Sequence, residues 1–322
     1  GRTPLKLATT KSNSEIIKLI FEAYPQAAAE KDDDGWFPLH YLARNCMNLE
    51  VVKLILDAYP QAATKKDMYE GKLPLHYAVG YNENLEIVKL ILKAYPEAAA
   101  EKDDDNMFPL HFAIAYDSNT EIVKLLLDAH TEAVYEKDNN GYLAFHYSVQ
   151  NKHPEIAELI FNAHPEATSE KTIGGKLPLH LAASRNLDMD FLKKIIYEYP
   201  EAAAEKDDDN MFPLHYAAEY NSNIKIVKLI LDAYPKAITV KTIKGKLPLH
   251  YAAQHNKNID IVKILYYAYS SAAVEKDNNG NIPFNLVEST LNIEVNNFLK
   301  KATDGTLMNA AIKIQNAWRK CH

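Results

Sequence analysis

The sequence predicts an all-α solenoid, built from stacked helix-turn-helix repeats that are joined by extended tips. One observation is a copied segment, "YPEAAAEKDDDNMFPLH", which occupies Tyr95 to His111 and recurs unchanged from Tyr199 to His215. Another is a period, because the residue that opens each repeat recurs after 34 to 36 positions. A single repeat cannot bury its apolar face, so neighbouring repeats must stack. The nine repeats open at Pro4, Pro38, Pro74, Pro109, Ala144, Pro178, Pro213, Pro248 and Pro283.

Repeat seven shows how the local sequence predicts each element. Asp and Asn favour a turn at the tip, and Pro213 then takes the first position of a helix, where a missing N–H costs nothing. Leu214 and Ala217 lie on one stripe, and the small alanine lets a second helix approach closely. The polar residues 221–223 end this helix, and "IKIVKLILDAY" supplies the apolar stripe of the second helix. Pro235 ends the second helix, because the residue before a proline disfavours the helical conformation.

Composition narrows the class of protein. The chain has 322 residues, of which 47% are hydrophobic and 25% are charged, so it can bury a core. Its formal charge of −7 argues against a nucleic-acid partner, which would require a basic face. Two cysteines are too few for a disulfide framework, and no apolar run reaches the length of a membrane span. We therefore expect an intracellular, cytoplasmic protein. The first residues already lie within a repeat, so we also expect the chain to be part of a longer protein.

Three segments carry a resemblance to a known family. "GKLPLHYAA", "DNNGNIPF" and "KIVKLILDA" resemble the ankyrin repeat, whose signature is Thr-Pro-Leu-His-x-Ala-Ala, a loop and a Leu-rich second helix. The resemblance covers residues 1–302. It implies antiparallel helix pairs with hairpin-like tips, stacked into a curved solenoid. It also implies a scaffold that binds a protein partner on its concave surface and at its tips.

The sequence departs from the family pattern at two places. The signature Thr is replaced in repeats two to nine by an apolar residue, so its hydrogen bond to the following His cannot form; the replacements are Phe37, Leu73, Phe108, Leu143, Leu177, Phe212, Leu247 and Ile282. The second helix ends in Tyr-Pro-x-Ala-Ala or a variant of it, where a Gly-Ala turn is usual. Similar arrays occur in giant viruses and some algae, which implies a viral origin. Repeat five lacks the Pro-Leu start and the preceding Tyr-Pro, so we expect it to be the least stable repeat.

The residues that recur in every repeat are predicted to be structural. Seven histidines do so, at His40, His76, His111, His146, His180, His215 and His250. A metal ion needs three or four ligands within about 2.0–2.3 Å, whereas stacked helices lie about 8–10 Å apart. We expect these histidines to cap helices or pack between repeats, and the acidic tips to be solvated turns. Catalytic motifs are absent, so the sequence predicts no enzyme, no metal and no cofactor. The alternative is that the array selects substrates for a catalytic domain outside this chain.

Outward positions that differ between repeats are the candidate binding residues. Side chains just after the first-helix alanines vary most, and the tips add further apolar groups. Tyr and Arg are common at binding hot spots, which favours partner contacts at these positions. For the tip residues, packing against the neighbouring tip is an equal alternative. The predicted contacts are Arg44, Tyr81, Tyr116, Gln150, Arg185, Glu219, Tyr220 and His255 on the helices, and Trp36, Met107, Tyr142 and Met211 at the tips.

Residues 303–322 form a separate predicted region, an amphipathic helix. Its segment "IKIQNAWRK" resembles the first half of the IQ motif, which binds calmodulin and related EF-hand proteins. Ile314, Gln315 and Arg319 match the motif, and Trp318 extends the apolar stripe. The Gly that usually follows the Arg is absent, and the chain ends before the second basic residue. The resemblance implies a calmodulin-like partner at this tail, and the alternative is a helix that caps the last repeat.

Overall fold

The computed structural model describes residues 7–9, 14–82, 84–288, 292–307 and 310–314. Throughout these ranges the secondary structure is helical and no β-strand occurs, as the sequence predicts. The chain divides into two compact units, an N-terminal half of residues 1–164 and a C-terminal half of residues 165–322. The sequence did not predict this division. The boundary between the array and the tail at residue 302 stays a prediction.

Repeat nine opens with a 3₁₀-helix, Pro283–Leu286, and most other repeats contribute two α-helices. In the N-terminal half these are α1 (Ser14–Ala23), α2 (Pro38–Asn45), α3 (Leu49–Ala58), α4 (Pro74–Tyr81), α5 (Leu85–Ala94), α6 (Pro109–Ala115), α7 (Thr120–Ala129), α8 (Ala144–Ser148) and α9 (Pro154–Ala163). In the C-terminal half they are α10 (Pro178–Ala183), α11 (Met189–Glu198), α12 (Pro213–Tyr220), α13 (Ile224–Ala233), α14 (Pro248–His255), α15 (Ile259–Ala268) and α16 (Ile293–Thr303). Apolar residues of both helices form the core, as fully buried Leu75 and Ala78 of α4 and Ile87 and Ile91 of α5 show.

The recurring histidines cap the first helices and connect neighbouring repeats. In repeat two, Nδ1 of His40 accepts a hydrogen bond of 3.1 Å from the N–H of Phe37, just before α2. Since Nδ1 accepts, the ring proton lies on Nε2, which is 3.0 Å from the carbonyl oxygen of Lys65 before the next tip. Each ring therefore accepts from one otherwise unpaired N–H at the start of its own helix and donates to a backbone carbonyl beside the next tip. Nδ1 accepts the equivalent bond at His76, His111, His180, His215 and His250. Nε2 lies near the carbonyl oxygen before the next tip at His111, His215 and His250. At His76 and His180 it lies instead near the carbonyl oxygen of Met107 or Met211, at the end of the next tip.

A short polar residue starts most of the second helices. The side-chain oxygen of Asn48 accepts from the N–H of Glu50 at 3.0 Å, an N-cap that Asn84, Asn119, Asp188, Asn223 and Asn258 repeat. The helices end as predicted before the Tyr-Pro pair. The chain then forms a short 3₁₀-helix that the sequence did not predict, at Pro25–Ala29, Pro60–Thr64, Pro96–Ala100, Thr131–Tyr135, Pro165–Ser169, Pro200–Ala204, Pro235–Thr239 and Ser270–Val274.

The prediction of solvated acidic tips is wrong for the first Asp of each tip. Asp32 is buried, and its Oδ1 accepts from the N–H groups of Asp34 and Trp36, both at 2.9 Å. Its Oδ2 accepts from the hydroxyl of Tyr41, nine residues later, at 2.5 Å. The same bond joins Asp67 to Tyr77, Asp138 to Tyr147, and Asp207 to Tyr216. The carboxylate thus ties the turn to the first helix, while the following acidic residues remain exposed.

Polar contacts also link successive repeats. At the tips, the N–H of Asp104 donates to the carbonyl oxygen of Glu70 at 2.9 Å. At the other end of the first helices, the buried amide of Asn82 donates to the carbonyl oxygen of Cys46 at 2.7 Å. Asn151, Asn221 and Asn256 make equivalent bonds. Within each half, these bonds therefore connect a first helix to the neighbouring repeat.

Candidate protein-binding surface

In each half, the C-terminal ends of the first helices and the tips that precede those helices form a surface, called the first-helix face. In the N-terminal half, the Arg44 guanidinium lies 4.6 Å from the ring centre of Tyr81. The Tyr81 and Tyr116 ring centres are 5.1 Å apart, and Tyr116 stacks on Phe112 at 4.8 Å. Three predicted contact residues from successive repeats therefore form one continuous stack.

The tyrosines of this stack remain accessible. Tyr81 is 41% exposed and Tyr116 is 47% exposed. A hydrogen bond with Tyr81, together with partial burial, raises the pKa of Tyr116 to about 12. These rings combine apolar area with hydroxyl groups, which is the chemistry typical of binding hot spots.

Beside this stack lies an aromatic groove of about 660 Å³. The rings of Trp36 and Tyr77 pack at 4.4 Å between centres, and Tyr77 continues to Tyr81 at 6.2 Å. The predicted contact Trp36 is therefore joined to the stack through Tyr77. The groove is lined by Asp34, Trp36, Tyr41, Arg44, Asn45, Asp67, Tyr69, Glu70, Tyr77 and Tyr81.

Two carboxylates of the aromatic groove differ in their environment. Burial alone would raise the pKa of Asp67, but hydrogen bonds from the Glu70 N–H and the Tyr77 hydroxyl outweigh it and lower that pKa below its usual value. Asp67 is thus a fixed negative charge whose oxygens are engaged. Glu70 forms an ion pair with Lys72 at 2.9 Å, yet its own side chain is 55% exposed. Glu70 can therefore accept further donors.

Three predicted residues of the N-terminal half do not join the stack. The amide of Gln150 donates to the carbonyl oxygen of His146 in its own repeat at 3.3 Å. Tyr142 is half-buried and packs on Tyr147, with ring centres 5.1 Å apart. Met107 is also half-buried. Tyr142 therefore packs on the first helix of its own repeat, and not against the neighbouring tip as the alternative interpretation had it.

In the C-terminal half, the predicted residues form a smaller group. Nε2 of His255 lies 3.5 Å from a carboxylate oxygen of Glu219 in the preceding repeat. Tyr220 is 59% exposed, and partial burial with a hydrogen bond to Glu219 raises its pKa to about 12. Arg185 is exposed. Met211 requires a correction: it is only 8% exposed, so it does not belong to the accessible surface.

Several functional candidates were missed in the sequence. Tyr77, Glu70 and Lys72 help to form or flank the aromatic groove, but the prediction considered only positions that vary between repeats. Tyr77 belongs to a recurring position, with Tyr41, Tyr147, Tyr216 and Tyr251 as its equivalents. The recurrence of a hydroxyl nine or ten residues after a buried Asp was a signal for the bond between them.

Other site chemistries find no support in the described part of the chain. No group of three or more His, Cys, Asp or Glu residues there could hold a metal ion. No helix among the described residues is long and apolar enough to cross a membrane. Of the predicted tail residues, Ile314 is 44% exposed in the short helix at 310–314. Gln315, Trp318 and Arg319 lie outside the described residues.

Comparisons with known proteins agree with this architecture. Residues 5–99, 75–173 and 179–279 match the sequence profile of the family described as ankyrin repeats (3 copies). Among solved structures, the chain is similar to the ankyrin repeat domain of Bcl-3, described as a unique member of the IkappaB protein family. That similarity has a TM-score of 0.52 and 20% identity, and it covers 72% of this chain and 99% of the other. At this identity it shows the fold alone. No curated protein sequence matches significantly.

Proposed function

This chain belongs to the ankyrin repeat family, and from that premise we propose that it is a non-catalytic scaffold that binds a protein partner on its first-helix face. The observation that carries the proposal is the stack of Arg44, Tyr81 and Tyr116. Three exposed side chains from different repeats contact one another, although none of them is needed to fill the core. The surface is preorganised, so little side-chain entropy remains to be lost on binding.

Affinity capture with paired variants tests this function. The wild-type chain, Tyr81→Ala/Tyr116→Ala and Tyr197→Ala are each used to capture proteins from a cell lysate, and bound proteins are identified by mass spectrometry. Tyr197 is the matched control, because it is 85% exposed on the second helix α11 and lies off the first-helix face. We expect the control to retain a partner that the double variant loses. Equal capture by all three chains would contradict the proposal.

The tail supports a second candidate, an adaptor for a calmodulin-like EF-hand protein. Ile312 and Ile314 are each 44% exposed, which leaves apolar side chains of this helix accessible to a partner. Ala311 is fully buried, so the start of the helix packs against the rest of the chain. A chain truncated after Ala302 separates the two candidates. Loss of a captured EF-hand protein from the truncated chain alone assigns binding to the tail, and its retention removes this candidate.

The proposal also places the protein inside the cell. Cys46 is a buried free thiol, and burial raises its pKa, which makes the thiolate scarce. An unreactive thiol without a structural disulfide agrees with a reducing compartment. The proposed viral origin is supported only by the resemblance of the Tyr-Pro-x-Ala-Ala segments to arrays found in giant viruses and some algae.

A further inference from the structure

We infer that the aromatic groove of the N-terminal half binds an arginine or lysine side chain, so that the partner segment seated there is basic. The inference rests on the proposed function and adds the chemistry of the partner. It is carried by three features of the same place: a concave volume, exposed aromatic rings and an excess of carboxylates.

The charge around the groove favours a cation. Three carboxylates line it, from Asp34, Asp67 and Glu70, against the single guanidinium of Arg44. The N-terminal half carries 16 Lys and Arg against 25 Asp and Glu, a formal charge of −9. The C-terminal half carries 20 Lys and Arg against 18 Asp and Glu, a formal charge of +2. The acidic half would therefore attract a basic segment and disfavour an acidic one.

The aromatic rings favour a cation as well. The face already holds cations on rings, because Arg44 lies over Tyr81 at 4.6 Å and Lys72 lies over Phe112 at 4.5 Å. Tyr69, which lines the groove, is 67% exposed, so its ring is open to a partner. A guanidinium or ammonium on such a ring is attracted by the ring quadrupole.

The two basic side chains near the groove do not cancel this preference. Arg44 is held against Tyr81. Lys72 is only 8% exposed and has its ammonium 2.9 Å from Glu70. Glu70 itself is 55% exposed, and a carboxylate can accept about four hydrogen bonds, so it can bind an incoming guanidinium while keeping Lys72.

Trp36 gives a direct reporter of this site. The sequence has two tryptophans, so Trp318→Phe leaves Trp36, within the groove, as the only one. The full-length Trp318→Phe chain is titrated with a short Gly/Ser peptide carrying spaced arginines, and with the same peptide carrying neutral citrulline instead. We expect a saturable change in fluorescence with the arginine peptide, weakened by salt, and binding at least tenfold weaker with citrulline.

Two substitutions and a control localise the effect. Tyr69→Ala and Glu70→Gln should each weaken the arginine peptide by about threefold to tenfold, since each removes one contact of the cation. Glu198→Gln changes an exposed carboxylate on the second helix α11 of the other half, off the first-helix face, and should leave the affinity unchanged. Equal binding of the arginine and citrulline peptides would overturn the inference, as would indifference to both groove substitutions.

Failure of this inference is distinguishable from failure of the proposed function. If arginine peptides do not bind, yet capture of a protein still depends on Tyr81 and Tyr116, the basic chemistry is wrong and the binding function stands. If capture of every protein is also independent of Tyr81 and Tyr116, the proposed function is overturned together with the inference.

Discussion

The buried histidines are predicted to destabilise the array in mild acid. His215 shows the reason: its Nδ1 accepts the N–H of Phe212 at 3.0 Å, and its Nε2 lies 3.1 Å from the carbonyl oxygen of Val240. A proton on Nδ1 would remove the acceptor and place a charge at a fully buried position. Burial accordingly lowers the pKa of His215 to about 4.

The magnitude follows from the two states of the chain. The pKa is about 4 in the folded protein and about 6.5 when the chain is unfolded, so protonation favours unfolding. The stability from this ring is fully present above pH 6.5 and is lost as the pH falls toward 4. At pH 5.0 the loss is about 2 kcal/mol for each such histidine. Burial lowers the pKa of His180 equally, so we expect the C-terminal half to lose about 4 kcal/mol from these two rings.

Urea unfolding followed by circular dichroism at pH 7.5 and pH 5.0 measures this loss. The matched variant is His215→Asn, because repeat nine already has Asn285 at this position, with its side-chain oxygen accepting the Ile282 N–H at 3.1 Å. The variant should be about 1–3 kcal/mol less stable at pH 7.5, since it loses the bond to Val240. It should also lose about 2 kcal/mol less between the two pH values. An undiminished pH dependence in His215→Asn would refute the reasoning.

Two substitutions and one hydrogen-exchange measurement test the packing of the repeats. Phe112→Tyr should supply a hydroxyl to Asp103, because Oδ2 of Asp103 has no hydrogen-bond partner among the described residues and burial raises the pKa of this carboxyl. We expect about 1 kcal/mol of stabilisation in urea unfolding at pH 7.5. An unchanged or lower midpoint would contradict this. Gly71→Ala should destabilise the folded chain by about 1–3 kcal/mol in the same assay, because φ at this residue is +62° and a Cβ would lie 2.3 Å from Asp104 Oδ1. A variant as stable as the wild type would contradict this prediction. Hydrogen exchange should be fastest at the chain ends and around residues 130–149, where helix α8 has only five residues. Slower exchange at residues 130–149 than in the flanking repeats would show that the weak repeat lies elsewhere.

Local rules in the sequence predicted most of the fold. A proline at the first helical position and another after the second helix set the helix bounds in repeat after repeat, as Pro213 and Pro235 show. The 3₁₀-helix after each second helix was missed, because Pro-x-Ala-Ala fits several turns and only packing selects one. The bond between Asp32 and Tyr41 was missed because it joins a tip to a helix that the pattern treats as separate elements.

The candidate site was predictable only in part. Variation between repeats identified Arg44, Tyr81 and Tyr116, but their contacts depend on how successive repeats are rotated and spaced, which no local rule fixes. Met211 was predicted to be an accessible contact because it is an apolar residue at a tip, but an apolar tip residue can equally well be buried. The aromatic groove also depends on Tyr77, a recurring residue that serves both the turn and the surface.

The first-helix face is expected to contact the partner directly. The most direct measurement replaces Tyr116, Tyr220 or Tyr197 in turn with the photo-reactive residue benzoylphenylalanine, irradiates each chain with its captured partner and maps the crosslinks by mass spectrometry. We predict crosslinks from position 116 or 220 on the first-helix face, and none from position 197 on α11. Crosslinks from position 197 alone would contradict the account.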